Sequence, residues 1–366
     1  MIQKIFVGIL ILVSLSANAE GGDWAERIYF SNDFRFRNEY IDQTKDSSKP
    51  VVRQRLRARL GLGYQVNEQV FTELKLASGS DDPTSLNETF DGGFTTKGFQ
   101  LDEAYAKWTA VKGLNIYLGK AKMIFYTIGK NEIVWDGDIK PEGVSAEYAT
   151  KWGDLYFEVN ASNYWVDQSN SDTEANREIM LSGLQIRGAG IFTGDLGYEI
   201  GAAIYDYSNL KGHTILTKIN GTKSMKNGNS GTTVYTENYQ IIDAYVGFSA
   251  KVMNQPLLVY YNLVNNARSS SKQNGFIAGV NFGKVKEVGD ISFRYSFRKV
   301  EDDAVFGAFT DSNFNNGNTN GVGSEIGADY GLAEKTVLAA TFFANKNATS
   351  GGDDYYRGQL DVSFSF

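Results

Sequence analysis

Short and long connections alternate along almost the whole of this chain, and few folds impose that rhythm. Tight turns fall at Val66-Asn67-Glu68, Val111-Lys112-Gly113, Trp152-Gly153-Asp154, Thr193-Gly194-Asp195, Asn254-Gln255-Pro256, Glu287-Val288-Gly289 and Ala333-Glu334-Lys335. Between them lie longer stretches rich in Asn, Asp, Ser, Gly and Thr at 42–50, 79–97, 123–141, 165–176, 208–236, 265–273, 301–319 and 345–354. The segments they join run to about ten residues and alternate apolar with polar positions, the period-two pattern of a strand with unlike faces. Short turns on one rim and long loops on the other describe a transmembrane barrel better than a soluble sandwich or propeller. The expected class is all-β: one closed antiparallel transmembrane β-barrel of about 16 strands.

The second strand shows the faces most plainly. Leu56, Ala58, Leu60, Leu62 and Tyr64 fall on one side, and Arg53, Arg55, Arg57 and Arg59 on the other. A sheet that spans a bilayer must pair every backbone group, so it closes and turns its apolar face outward in every strand. Leu155/Phe157/Val159/Ala161, Leu196/Tyr198/Ile200/Ala202, Ala244/Val246/Phe248/Ala250, Phe276/Ala278/Val280/Phe282 and Ile291/Phe293/Tyr295/Phe297 all comply. Their opposite faces carry Gly, Ser, Asn and charge, too polar for a dry core, and are expected to line water. Trp108, Trp152 and Trp165 sit where interfacial aromatic girdles belong.

The amino terminus reads as an export signal over 1–19: Lys4, an apolar run beginning at Ile5, then Ala17-Asn18-Ala19. Residues 20–366 then form a single barrel domain. The chain has no Cys, 4 Pro and 39 Gly with 21 Tyr and 23 Phe, which fits strands and turns without disulfides. Its net charge of -7 and pI near 5.0 argue against a nucleic-acid partner. No phosphate loop, zinc spacing or dinucleotide fingerprint is present, and no cofactor is expected.

The final strand alternates Tyr356, Gly358, Leu360, Val362, Phe364 and Phe366 on one face, a form similar to the strand by which bacterial outer-membrane barrels are recognised for assembly. At LASGSDDPTSLNETF (76–90), GFQLDEAYAKW (98–108), WDGDIKPEG (135–143) and FTDSNFNNGNTNGVGSEIGADYGL (309–332) the chain resembles the putative porin family of Gram-negative bacteria. The resemblance spans most of the mature sequence. It implies a water-filled outer-membrane channel for passive diffusion of small hydrophilic solutes and ions, surrounded by outer-membrane lipid and lipopolysaccharide. It also implies assembly through the carboxy-terminal strand and a homotrimer.

Loop 123–141 follows the fifth strand, where general porins fold a loop into the barrel as a constriction. It carries Lys130, Glu132, Asp136 and Asp138 beside Phe125, Tyr126, Ile128, Ile133, Val134 and Trp135, more apolar content than a solvated loop needs. Its Asp136-Gly137-Asp138 could bind a divalent cation, but two carboxylates fall short of a ligand set, and no metal is expected. Folded inward, its carboxylates would face Arg53, Arg55, Arg57 and Arg59, together with Arg35, Arg37, Arg294 and Arg298 on other strands. Glu73, Lys75, Glu103 and Lys107 are expected to extend the lining. Opposed charge rows across an aqueous neck set ion preference.

Two other classes stand against this reading. A barrel hydrolase would need a base, and His213, the single His, offers no oriented partner in sequence. A non-conducting adhesin or structural barrel would share the long loops but have a plugged lumen.

Overall fold

Side chains that alternate between lipid and lumen leave the backbone no choice but the extended conformation, and the computed structural model is a closed barrel of 16 antiparallel strands. It describes residues 24–44, 49–168, 173, 177–216, 228–231, 233–348 and 352–366. The expected signal at 1–19 lies outside them. Here β1 is Asp33–Gln43, β2 Val51–Gln65, β3 Val70–Ser78, β4 Phe99–Val111, β5 Leu114–Lys120, β6 Glu142–Trp152, β7 Leu155–Asp167 and β8 Ile179–Thr193. The second half comprises β9 Leu196–Tyr207, β10 Gln240–Val252, β11 Gln255–Asn266, β12 Asn274–Gly283, β13 Ile291–Val300, β14 Gly321–Ala333, β15 Thr336–Asn347 and β16 Asp354–Ser365.

Each strand pairs with the next in sequence, and β16 closes on β1 from Tyr355 opposite Gln43 to Ser365 opposite Asp33. Two short pieces extend the ladders of β2: Ile28–Phe30 continues the edge held by β1, and Glu88–Thr89 lies beside Arg55 and Leu56. Among the described residues the closed ladder leaves no free sheet edge, which is what a bilayer demands.

Every connection on one rim is short. The turn placed in sequence at 254–256 falls one residue earlier, at Met253-Asn254, both with positive φ (51° and 61°), the left-handed pair that a two-residue hairpin requires. The link between β12 and β13 is longer than expected and spans 284–290. The outward residues are apolar and exposed: Leu60, Ile200, Phe248, Phe293 and Leu360 among them. Trp108, Trp152 and Trp165 are exposed near the strand ends.

The interior departs from the expectation of a uniformly wet lumen. Beneath β7 to β13 lies a dry cluster in which Tyr205, Tyr207, Ile241, Tyr245, Tyr260 and Ile277 of the wall pack against Phe125, Ile128, Ile133, Val134 and Trp135 of loop 121–141. Two stretches expected outside also enter it. Loop 301–320 contributes Ala304, Val305, Phe306 and Ala308, and loop 208–239 contributes Leu210, Ile215, Tyr235 and Tyr239. Phe306 is their hub, with ring centroids 5.1 Å from Tyr207, 5.4 Å from Tyr235 and 5.6 Å from Tyr239. The reason is hydrophobic: these loops hold large apolar side chains among their polar residues, and the inner wall gives them cover from water.

Candidate pore and its constriction

Loop 121–141 crosses the barrel along the inner wall by contacts made in chain order. Tyr126 exchanges two backbone hydrogen bonds with the side chain of Gln185 on β8: its amide donates to Oε1 (2.8 Å) and its carbonyl accepts from Nε2 (2.9 Å). Its ring lies 3.6 Å from the Arg187 guanidinium, and its hydroxyl donates to Glu199 at 2.9 Å. At the apex, Gly129 adopts φ 62° against the Tyr260 ring, where a Cβ would sit 2.4 Å from a ring carbon; Asn281 Nδ2 donates to its carbonyl at 3.1 Å. Glycine is therefore required twice here, for conformation and for room.

Beyond the apex the loop is zipped to loop 301–320. Asp136 N donates to Phe309 O (2.8 Å), Asp311 N to Glu132 O (3.2 Å), Ser312 N to Asp136 Oδ2 (2.9 Å) and Thr310 Oγ1 to Ile133 O (2.9 Å). Loop 301–320 is tied in turn to the wall at β13 and β16, since Arg298 pairs with Asp311, Arg357 Nη1 donates to Ser312 O at 3.2 Å and Gln359 Nε2 to Asn313 Oδ1 at 3.0 Å.

Asp138 then reaches the arginine row: its Oδ1 lies 3.6 Å from Arg57 Nη1, and its Oδ2 accepts from the amide of Leu86 at 3.3 Å. The row itself is paired along the wall. Arg57 and Arg59 share Asp33 at 3.0 and 2.6 Å, Arg53 and Arg357 hold Glu39, and Arg37 makes a two-pronged contact with Asp361 at 2.7 Å on each arm. Cross-strand neighbours Arg35–Arg57 and Arg37–Arg55 are like-charged and directly opposite, an arrangement that costs stability unless carboxylates or function compensate.

Among the described residues, two adjoining water-accessible cavities lie between these loops and the arginine-bearing wall. The larger, of about 800 Å³, is lined by Arg35, Arg37, Lys130, Glu132, Arg294, Arg298, Asp311 and Glu325, among others. The smaller, of about 310 Å³, lies between Arg35, Arg37, Arg55, Arg57 and Arg59 on one side and Glu132, Asp136 and Asp138 on the other. They share Arg35, Arg37, Glu132 and Asn313.

Sequence-selected residues thus fall into three groups. Arg55, Arg57, Arg59, Arg294, Arg298, Lys130, Glu132, Asp136 and Asp138 line the two cavities. Arg53 sits at the end of the row on Glu39. Glu73, Lys75 and Glu103 face inward and are linked through Lys75, which lies 3.3 Å from each carboxylate, while Lys107 rests over the Phe71 ring; these four line neither cavity. Sequence reading did not single out Glu39, Asp311, Arg357 and Asp361; each pairs with a residue of another strand or joins a loop to a strand, and in Arg37–Asp361 the partners are 324 positions apart.

Glu132, Asp136 and Asp311 bring carboxylate oxygens within 4.8 Å of one another. Burial, and then the charges of Asp136 and Asp311, push the Glu132 carboxyl well above its ordinary range; burial, and then Asp138 and Asp311, do the same to Asp136. Burial lowers Lys140, despite nearby Asp102 and Asp138. Most of the trio's oxygens are already engaged: both of Asp136 accept amides, Glu132 Oε1 accepts from Gly137 N, and Asp311 accepts from Arg298 and Asn313 N. The trio is a joint between two loops. His213 is buried with Nε2 3.6 Å from Asp167, away from the cavities.

The family model described as "Putative porin" matches residues 40–240 and 232–366. The chain belongs to that family. It is an outer-membrane porin, a channel of the bacterial outer membrane. Among solved structures it is similar to OprB of Pseudomonas putida in its high-pH structure, with a TM-score of 0.58, 12% identity, and coverage of 93% of this chain and 95% of that one. A triple mutant of the Rhodopseudomonas blastica porin gives a TM-score of 0.52 at 12% identity, covering 93% of this chain and all of its own. OmpT of Vibrio cholerae lacking loop L8 gives 0.51 at 11% identity with the same coverage. At such identity the likeness is one of fold. No curated protein matches the chain.

Proposed function

We propose that solutes cross this porin through the space between the arginine wall and the two zipped loops, and that this is its narrowest part. The observation that carries the reading is the 3.6 Å approach of Asp138 to Arg57 in the smaller cavity, where the arginines of β1 and β2 face Glu132, Asp136 and Asp138. Arg55, Arg57, Arg59, Arg294 and Arg298 form the basic lining, with Arg53 at its edge. Lys130, Glu132, Asp136 and Asp138 form the constriction. Glu73, Lys75 and Glu103, linked through Lys75, and Lys107 over Phe71 buttress the wall at β3 and β4. Transport is passive diffusion of small hydrophilic solutes, and the protein has no catalytic role.

The chain is exported by its first 19 residues through the periplasm and is assembled by the barrel-assembly machinery through β16. It sits among lipid and lipopolysaccharide as a homotrimer. Exposed Val51, Val52, Phe90, Phe94 and Phe99 near the long-loop end of β2–β4 support a protein contact on that side. Residues 20–366 act as one domain.

Liposome swelling tests the transport reading. Vesicles carrying the folded barrel should swell in small sugars and progressively less as solute size rises; vesicles that never swell would favour a non-conducting adhesin or structural barrel.

A further inference from the structure

Seven arginines on β1, β2 and β16 share four carboxylates: Asp33, Glu39, Asp138 and Asp361. Charge is therefore in excess, and the structure shows where. Arg35 and Arg55 lie 3.9 and 4.0 Å from their nearest carboxylates, beyond hydrogen-bond reach. Their short contacts are to uncharged oxygens of one segment: Arg35 Nη2 donates to Asn87 Oδ1 at 2.6 Å, and Arg55 Nη2 to Asn87 O at 3.2 Å and Ser85 Oγ at 3.3 Å. The Nε of both guanidiniums is buried and has no hydrogen-bond partner. A guanidinium is built to take the two oxygens of a planar carboxylate at once. An amide side chain has the same planar outline but supplies one acceptor and no charge.

We propose that Arg35 and Arg55 form a binding site for a small carboxylate anion, in which the Asn87 side chain is the uncharged stand-in on Arg35 that the anion displaces while Arg55 adds its charge beside it. The proposal deepens the pore reading and rests on it. The adjoining cavity of about 310 Å³ has room for such a solute. Displacement needs little movement. Leu86 is held on both sides, its amide on Asp138 and its carbonyl accepting from Ser78 Oγ at 2.9 Å, so the Asn87 side chain can rotate out while the segment stays.

The facing wall decides between an anion and a zwitterion. Glu132 and Asp136 hold protons more strongly than ordinary carboxyls, through burial and mutual charge, and Asp138 is engaged by Arg57 and Leu86. That wall therefore offers an ammonium group little, and the net field in the cavity favours negative charge.

The test is single-channel current in KCl with succinate, inorganic phosphate or glycine added to one side. Folding of each variant is checked by heat-dependent gel mobility. Succinate should interrupt the wild-type current at the lowest concentration of the three. Asn87→Asp places a carboxylate in the site permanently and should raise the half-blocking succinate concentration about ten-fold or more. Asn87→Ala removes the stand-in and should lower it about five-fold. Phosphate acting as strongly as succinate would overturn recognition by carboxylate shape, and glycine acting as strongly would replace the anion site with a zwitterion site. An unchanged succinate response in Asn87→Asp would overturn the role of Asn87. A folded protein that passes no KCl current fails earlier, at the pore reading itself.

Discussion

Replacing Arg298 should open the constriction, and the structure sets the size of the effect. Arg298 and Asp311 are each 2% exposed and paired, and Arg298 is the counter-charge of a group in which Glu132, Asp136 and Asp311 lie within 4.8 Å of one another. Two unit charges at that separation repel by about 3 kcal/mol at an effective dielectric of about 20. Breaking a buried pair by removing one partner costs about 3–5 kcal/mol. Arg298→Gln should therefore lose several kcal/mol from the joint between loops 121–141 and 301–320, enough to release it while the ladder of strands remains closed. Single-channel conductance should rise. Asp311→Asn should do less, since Arg298 keeps Glu325 at 3.3 Å. An Arg298→Gln barrel with wild-type conductance would refute the joint.

Three further expectations can be checked directly. Gly129→Leu combines a left-handed backbone with a side chain driven into Tyr260 and should cost about 1–3 kcal/mol of loop docking, read as faster proteolysis of loop 121–141 in the folded barrel. Glu132 and Asp136 have raised folded-state pKa values, so their contribution is most favourable below the ordinary carboxylate range and is lost progressively as pH rises toward those raised values. Glu132→Gln should flatten that loss, measured as urea denaturation of the barrel from pH 4 to pH 9. Ile200 is 56% exposed on the outer wall, and Ile200→Arg should destabilise the barrel in lipid by about 2–4 kcal/mol if it faces the bilayer middle.

The barrel was legible in sequence because lipid outside and polar groups inside force strict alternation, and because one rim keeps its connections short. Loop 121–141 betrayed itself through Phe125, Ile133 and Trp135. Loop 301–320 did not: its Asn and Gly read as solvated, and Val305, Phe306, Phe309 and Phe314 were overlooked among them. The dry half of the lumen was hidden for a related reason. Gly201, Gly247 and Gly279 look like water-facing positions, yet Tyr245, Ile128 and Tyr260 respectively pack over them. A glycine beneath a ring and a glycine beneath water are the same letter. Ion-pair partners such as Glu39 with Arg357 and Arg37 with Asp361 depend on closure of the last strand on the first, so no local spacing reveals them.

Conductance of the purified barrel in a planar bilayer under a KCl gradient tests the central claim most directly. Stepwise insertion of open channels, with a reversal potential on the anion side that moves toward cations when Arg35, Arg55 and Arg57 are changed to Gln, is the expected result. A folded barrel that never conducts, or a reversal potential indifferent to those arginines, would contradict the account.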